Sequence, residues 1–106
     1  MRRERAASRS KVRLYGTVRV MRQSSPMRVV DLSQQGMALD IERPLQVTPG
    51  QTVEVVTEEL GTIEGIVCWY VNGRMGLRYR MTSRAAAQVV SYFRFFHRAA
   101  TPVLRG

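Results

Sequence analysis

The sequence predicts an all-β domain with a C-terminal helix: a six-stranded antiparallel β-barrel closed by a helical lid. Three observations predict it. Six short segments alternate apolar and polar residues with a period of two. Turn signals such as Pro49-Gly50 and Asn72-Gly73 punctuate them. From Ser83 onward the apolar spacing switches to three and four, the period of a helix. A chain of 106 residues, 44% hydrophobic, suits one globular domain. Strands followed by a single amphipathic helix bury all their apolar faces most simply in a closed or nearly closed barrel with a lid.

The elements follow in order. Residues 1–12 are polar and Arg-rich, without apolar period, and read as a flexible N-terminal arm. The barrel and its helix occupy 13–99, and 100–106 form a tail. In the first strand Leu14, Gly16, Val18 and Val20 alternate with Tyr15, Thr17, Arg19 and Met21. Gln23-Ser24-Ser25-Pro26 is expected to break it. A short second strand, Met27–Val30, ends at Asp31, and Asp31 to Gly36 reads as a turn. Met37, Leu39 and Ile41 mark the third strand, and Val53 and Val55 the fourth. Glu58-Glu59-Leu60-Gly61 reads as a hairpin connection, and Thr62–Tyr70 as the fifth strand. After Asn72-Gly73, the sixth strand has Met75, Leu77, Tyr79 and Met81 on one face and a mostly basic opposite face. Ser83 is the expected N-cap of a helix to about Ala99. Ala86, Val89, Val90, Phe93, Phe96 and His97 would share its apolar face, and Pro102 ends the pattern.

Composition excludes several functions. No apolar run approaches the roughly 20 residues that span a bilayer. Arg13, Arg19 and Arg22 interrupt the stretch after the basic start, so no leader segment is expected and the reading is soluble and cytoplasmic. A single cysteine, Cys68, allows no internal disulfide, and it is expected as a small buried residue. With one histidine, His97, there is no zinc-like ligand spacing, and no metal or cofactor is expected. Glu58 and Glu59 are adjacent and make no paired-carboxylate site. Without a base–nucleophile pair or a P-loop, the chain is not read as an enzyme.

The net charge of +9 is unevenly spread. Residues 1–28 carry nine basic groups against one acid, residues 29–64 carry one against seven, and residues 65–106 carry seven and no acid. Arg outnumbers Lys sixteen to one. The guanidinium fork matches phosphate and stacks on flat rings, so an anionic partner fits, although a GC-rich genome also favours arginine.

Two constellations stand out. Arg5-Ala6-Ala7-Ser8-Arg9 sets two guanidiniums four residues apart on the arm, a pattern also met in solvated or nonspecific nucleic-acid arms. Asp31-x-Ser33-x-x-Gly36 also suits an ordinary turn. Chemically, its carboxylate accepts from adjacent N–H groups such as a guanine edge, and its hydroxyl donates to phosphate or a base. Gly36 is expected to allow a tight turn that aims both side chains one way. Trp69 is expected in the barrel wall or core, with stacking on a base as the second reading.

In order and spacing, these two motifs resemble the PilZ family. Gly73-Arg74-Met75-Gly76-Leu77-Arg78-Tyr79 is similar to the family's closing strand, and the trailing helix fits. The resemblance runs from about residue 3 to about residue 97. It implies a PilZ-type barrel that binds cyclic di-GMP. Arg5 and Arg9 would grip phosphate and stack on guanine, Asp31 and Ser33 would contact guanine and phosphate, and Gly36 would be the turn glycine. Members often carry extra arginines beside the arm pair. Here Glu4 and Ala6 flank Arg5, so Arg2 or Arg3 would supply them. Trp69 would be an additional ligand contact.

The function implied is a receptor or adaptor whose arm orders on cyclic di-GMP and signals to an unidentified downstream protein. The alternatives are a nonspecific nucleic-acid-binding barrel, with Tyr15 and Tyr70 as its exposed aromatics, and a PilZ-like interaction module without ligand.

Overall fold

The computed structural model describes residues 10–80 and 83–94. Its elements are β1 (Ser10–Val20), β2 (Gln23–Leu32), β3 (Gly36–Ile41), β4 (Thr52–Thr57), β5 (Gly61–Val71), β6 (Arg74–Tyr79) and α1 (Ser83–Tyr92). In space the strands run β1-β2-β3-β6-β5-β4, every pair antiparallel, and β4 closes on β1. The expected closed six-stranded barrel is therefore present. Every strand pairs on both sides, although β1 meets β4 only over Gly16–Arg19.

The inward residues are the apolar halves of the alternating segments. Leu14, Val18, Leu39, Val55, Ile63, Val67, Met75 and Leu77 meet in one core. β1 and β4 approach so closely at Gly16 that a Cβ there would lie 2.0 Å from the Val56 carbonyl oxygen. The Asn72-Gly73 turn takes left-handed φ angles of 51° and 78°, as that pair predicts.

β1 begins at Ser10, two residues before the expected end of the arm, with Ser10 opposite Leu32 and Lys11 opposite Asp31. The expected break at Gln23–Pro26 is not a break. The hairpin turns at Met21-Arg22, with Met21 at a φ of 55°, and β2 starts at Gln23. The ladder with Thr17–Val20 of β1 holds this polar stretch in the strand, and tertiary bonds add to it. The buried Ser25 hydroxyl accepts from the Arg43 N–H at 2.8 Å, and the Pro26 carbonyl accepts from the Glu42 N–H at 3.0 Å.

The helix caps the barrel beside β5, where the Gln88 side-chain amide donates to the Leu60 carbonyl at 2.9 Å. Val89 and Tyr92 are buried, and Phe93 packs partly against the core. Val90 is 44% exposed, which corrects its expected place on the apolar face. The buried stripe is Val89, Tyr92 and Phe93, at i, i+3 and i+4, and Val90 lies about 100° away from Val89 around the helix. Phe96, His97 and the tail lie outside the described residues. Among the described residues, no helix is long and apolar enough to cross a membrane.

Candidate functional site

Two β-bulges build the outer face that carries the site. In β2 the register shifts between Val29 and Asp31. Simple alternation from Met27 and Val29 would send Asp31 inward. The extra residue instead pairs Asp31 with Ala38, whose β3 neighbours Met37 and Leu39 point into the core, and Leu32 takes the buried place. In β5 the register shifts between Val67 and Trp69. Alternation from Ile63 and Val67 would bury Trp69 and expose Tyr70. The bulge reverses both, so Trp69 is 43% exposed and the Tyr70 hydroxyl accepts from the Leu45 N–H at 3.1 Å. Trp69 thus stands in the barrel wall with its ring outside rather than in the core, and the expected place of Tyr70 on the surface is corrected. Cys68, the bulge residue, is exposed rather than buried, for the same reason.

The result is one transverse row on the outer surface: Asp31 on β2, Ala38 on β3, Gly76 on β6 and Trp69 on β5. The two end groups are a carboxylate and an indole, and the two between them are small. The Trp69 ring lies over Gly76 so closely that a Cβ there would be 2.3 Å from Cε2. A cleft of about 200 Å³ borders this row, lined by Ser33, Gln35, Gly36, Ala38, Cys68, Trp69, Gly76 and Arg78. A larger cleft of about 270 Å³ lies alongside, walled by Tyr15, Pro26, Met27, Arg28, Asp40 and Ile41. The opposite charges of Arg28 and Asp40 pair with each other there at 2.8 Å. The first cleft offers the richer chemistry despite its smaller volume, because it joins a free aromatic face to the Ser33–Gly36 turn.

That turn is held from within. The Ser33 hydroxyl accepts from the N–H groups of Gln35 at 3.1 Å and Gly36 at 3.2 Å, and the Ser33 N–H donates to the Gly36 carbonyl at 2.9 Å. Ser33 is buried, so its side chain shapes the loop directly. Gly36 does not supply a left-handed turn residue, which corrects the expected reason for it. It stands in β3 where a Cβ would meet the Leu77 carbonyl oxygen at 2.1 Å. Glycine is needed there for the close approach of β3 and β6.

Beneath the turn, the Tyr79 hydroxyl reaches the carbonyls of Ser33 at 2.7 Å and Gly36 at 2.9 Å. Burial pushes this phenol well above its ordinary value. The protonated form is therefore the one the fold favours. Its contribution is complete below a pH of about 10 and is lost as the pH rises above that. We expect Tyr79→Phe to cost about 1–2 kcal/mol at neutral pH and to lessen the alkaline loss of stability. Urea denaturation of both chains at pH 7 and pH 11 checks this, and equal midpoints at pH 7 would remove Tyr79 as the support of the turn.

A charged row borders the first. Asp40 receives Arg74 at 2.7 Å and Arg28 at 2.8 Å. The hydrogen bonds from Arg74 and then Arg28 hold the Asp40 carboxyl down at about 2. The same bonds raise both guanidiniums. Of the sequence-predicted residues, Asp31, Ser33, Gly36 and Trp69 come together on this face. Arg2, Arg3, Arg5 and Arg9 lie outside the described residues. Sequence reasoning missed Ala38, Gly76 and Arg78, and the first two carry no chemical signal beyond their size. Among the described residues, no three His, Cys, Asp or Glu side chains are grouped as metal ligands.

A sequence profile of the PilZ domain matches residues 3–95. Among curated proteins, none matches the sequence. Among solved structures, the chain is similar to the PilZ domain of CeSA from a cellulose-synthesizing bacterium, at 19% identity and a TM-score of 0.67, covering 88% of this chain and 98% of that one. It is similar to the PilZ domain of YcgR from Escherichia coli, described with c-di-GMP, at 17% identity and a TM-score of 0.69, covering 92% and 95%. It is also similar to MrkH of K. pneumonia, in a c-di-GMP complex, at 12% identity and a TM-score of 0.69, covering 92% of this chain and 54% of that one.

Proposed function

The chain belongs to the PilZ domain family, and from that premise we propose that it is a receptor for cyclic di-GMP. The observation that carries this reading is the outer row Asp31–Ala38–Gly76–Trp69, which sets a hydrogen-bond acceptor and a flat aromatic face at the two ends of a floor of small residues. A guanine has N–H donors for the carboxylate and a π-face for the indole. Ser33 and Gly36 border the cleft at its end. YcgR and MrkH, two of the structural neighbours, are described with this nucleotide.

The arm supplies the cations. The chain enters β1 at Ser10, and Lys11 already stands opposite Asp31. Arg9 immediately precedes that point, and five residues of extended chain span at most about 17 Å, so Arg5 is within reach. Arg5 and Arg9 grip phosphate and stack on guanine, with Arg2 or Arg3 adding charge. Each guanidinium serves both demands of a ligand with two phosphates and two purines. On this reading ligand orders the arm over the barrel, and the altered surface signals to a downstream protein.

Trp69, the single tryptophan, provides the assay. Titration with cyclic di-GMP, followed by fluorescence and calorimetry, should give a dissociation constant of micromolar or below, roughly −8 kcal/mol. Arg5→Ala and Arg9→Ala should each lose about 1.5–3 kcal/mol of binding while the ligand-free melting temperature holds. No heat and no fluorescence change at millimolar ligand would overturn the reading.

A further inference from the structure

A strand offers an outward position at every second residue, and along β6 and just past it these are Arg74, Gly76, Arg78 and Arg80. Two of the three arginines have carboxylate partners on the neighbouring strands. Arg74 meets Asp40 at 2.7 Å, and Arg80 meets Glu64 at 3.5 Å. Arg78 stands between Gly36 on β3 and Ile66 on β5, so neither neighbouring strand opposes it with a charge. Among the described residues no ion pair engages it, and it is exposed. Gly36 brings no side chain to cover it, because the close approach to Leu77 forbids one.

Arg78 also borders the cleft that holds Trp69 and the Ser33–Gly36 turn. It lies two residues from Gly76, about 7 Å along the strand from the point where the indole rests. A base stacked on Trp69 carries its sugar and phosphate to one side, within an arginine's reach. A guanidinium there pairs with two phosphate oxygens at once.

Resting on the function proposed above, we propose that Arg78 is a further ligand-binding residue, a cation fixed on the barrel that contacts a phosphate of cyclic di-GMP beside Trp69. Phosphate recognition is then divided between the arm and a rigid strand. The strand-borne part is preorganised, so its contact requires no ordering of chain.

The test is calorimetric titration of the full chain with cyclic di-GMP, using wild type, Arg78→Ala, Arg78→Lys and Arg94→Ala. The last removes the same charge from the exposed helix surface. Arg78→Ala should bind about 10- to 100-fold more weakly. Arg78→Lys should fall between, since it keeps the charge and loses the fork. Arg94→Ala should stay within about twofold, because a distant exposed charge is screened. Ligand-free melting temperatures should be unchanged. If wild type binds and Arg78→Ala binds equally well, the contact is wrong. Equal weakening by Arg78→Ala and Arg94→Ala also overturns it, because net charge alone would explain both. Should Arg78→Ala fail to fold, normal affinity of Arg78→Lys would reject the fork contact and weakened affinity would support it. A wild-type chain that takes no cyclic di-GMP overturns the proposed function and this contact with it.

Discussion

Gly36→Ala is expected to destabilise the barrel by about 3 kcal/mol. A Cβ at this position would lie 2.1 Å from the Leu77 carbonyl oxygen and 3.2 Å from the Arg78 Cα. Both are backbone atoms of β6, which pairs with β3 at this point, so relief requires the two strands to part. A side chain could rotate away, but a sheet ladder cannot. Gly65→Ala is the matched control. Its Cβ would meet Leu77 Cδ1 at 3.2 Å and Leu77 Cβ at 3.3 Å, contacts that a shift of a few tenths of an ångström relieves without parting the strands, so its cost should stay below about 1 kcal/mol. Urea denaturation midpoints compare the two. A Gly36→Ala chain within about 1 kcal/mol of wild type would mean that β3 and β6 are not so close. Loss of ligand binding in a Gly36 variant must therefore be read against its stability, since a parted sheet also displaces Ser33 and Arg78.

Asp31→Ala is expected to weaken cyclic di-GMP binding strongly, and the sign of its effect separates two functions. Removing this carboxylate takes the formal net charge from +9 to +10. A binder that works by general anion attraction would hold or gain affinity. A guanine site would leave base N–H donors without a partner and lose about 1–3 kcal/mol or more. Affinity for cyclic di-GMP and for a random single-stranded oligonucleotide should be measured in the same salt series. The receptor reading requires the first to fall sharply while the second holds or rises. If both rise together, the basic surface is a plain nucleic-acid patch. The substitution lies at a bulge on the outer face, away from the buried core side chains, so the barrel should survive it.

Much of the fold was legible because strand alternation is a local signal. Val18, Val53, Val55, Met75 and Leu77 are buried as their period requires, and Asn72-Gly73 turns as that pair must. The β1–β2 hairpin was not legible, because Met21 adopts a φ that favours glycine or asparagine and announces nothing in the sequence. Ser25 and Pro26 misled in the same place. Besides their pairing with Val18 and Thr17 across the hairpin, they are held by bonds from Arg43 and Glu42, about 17 residues on, which no local window contains.

The sequence by itself determined that the chain is a barrel with a lid, and it marked Asp31, Ser33 and Gly36 through their spacing. It also placed four arginines, Arg2, Arg3, Arg5 and Arg9, before the first strand. Only the tertiary structure decided that Asp31 and Trp69 share a face. Each stands one residue past a bulge, and a single extra residue reverses the direction of every side chain that follows it. A bulge is settled by pairing with the neighbouring strand, so it leaves no periodic trace in its own. The same pairing gave Gly36 and Gly76 their work: one admits the Leu77 carbonyl and the other the Trp69 ring. It also gave Asp40 to Arg74 and Glu64 to Arg80, and set Arg78 between a glycine and an isoleucine, where no ion pair among the described residues engages it.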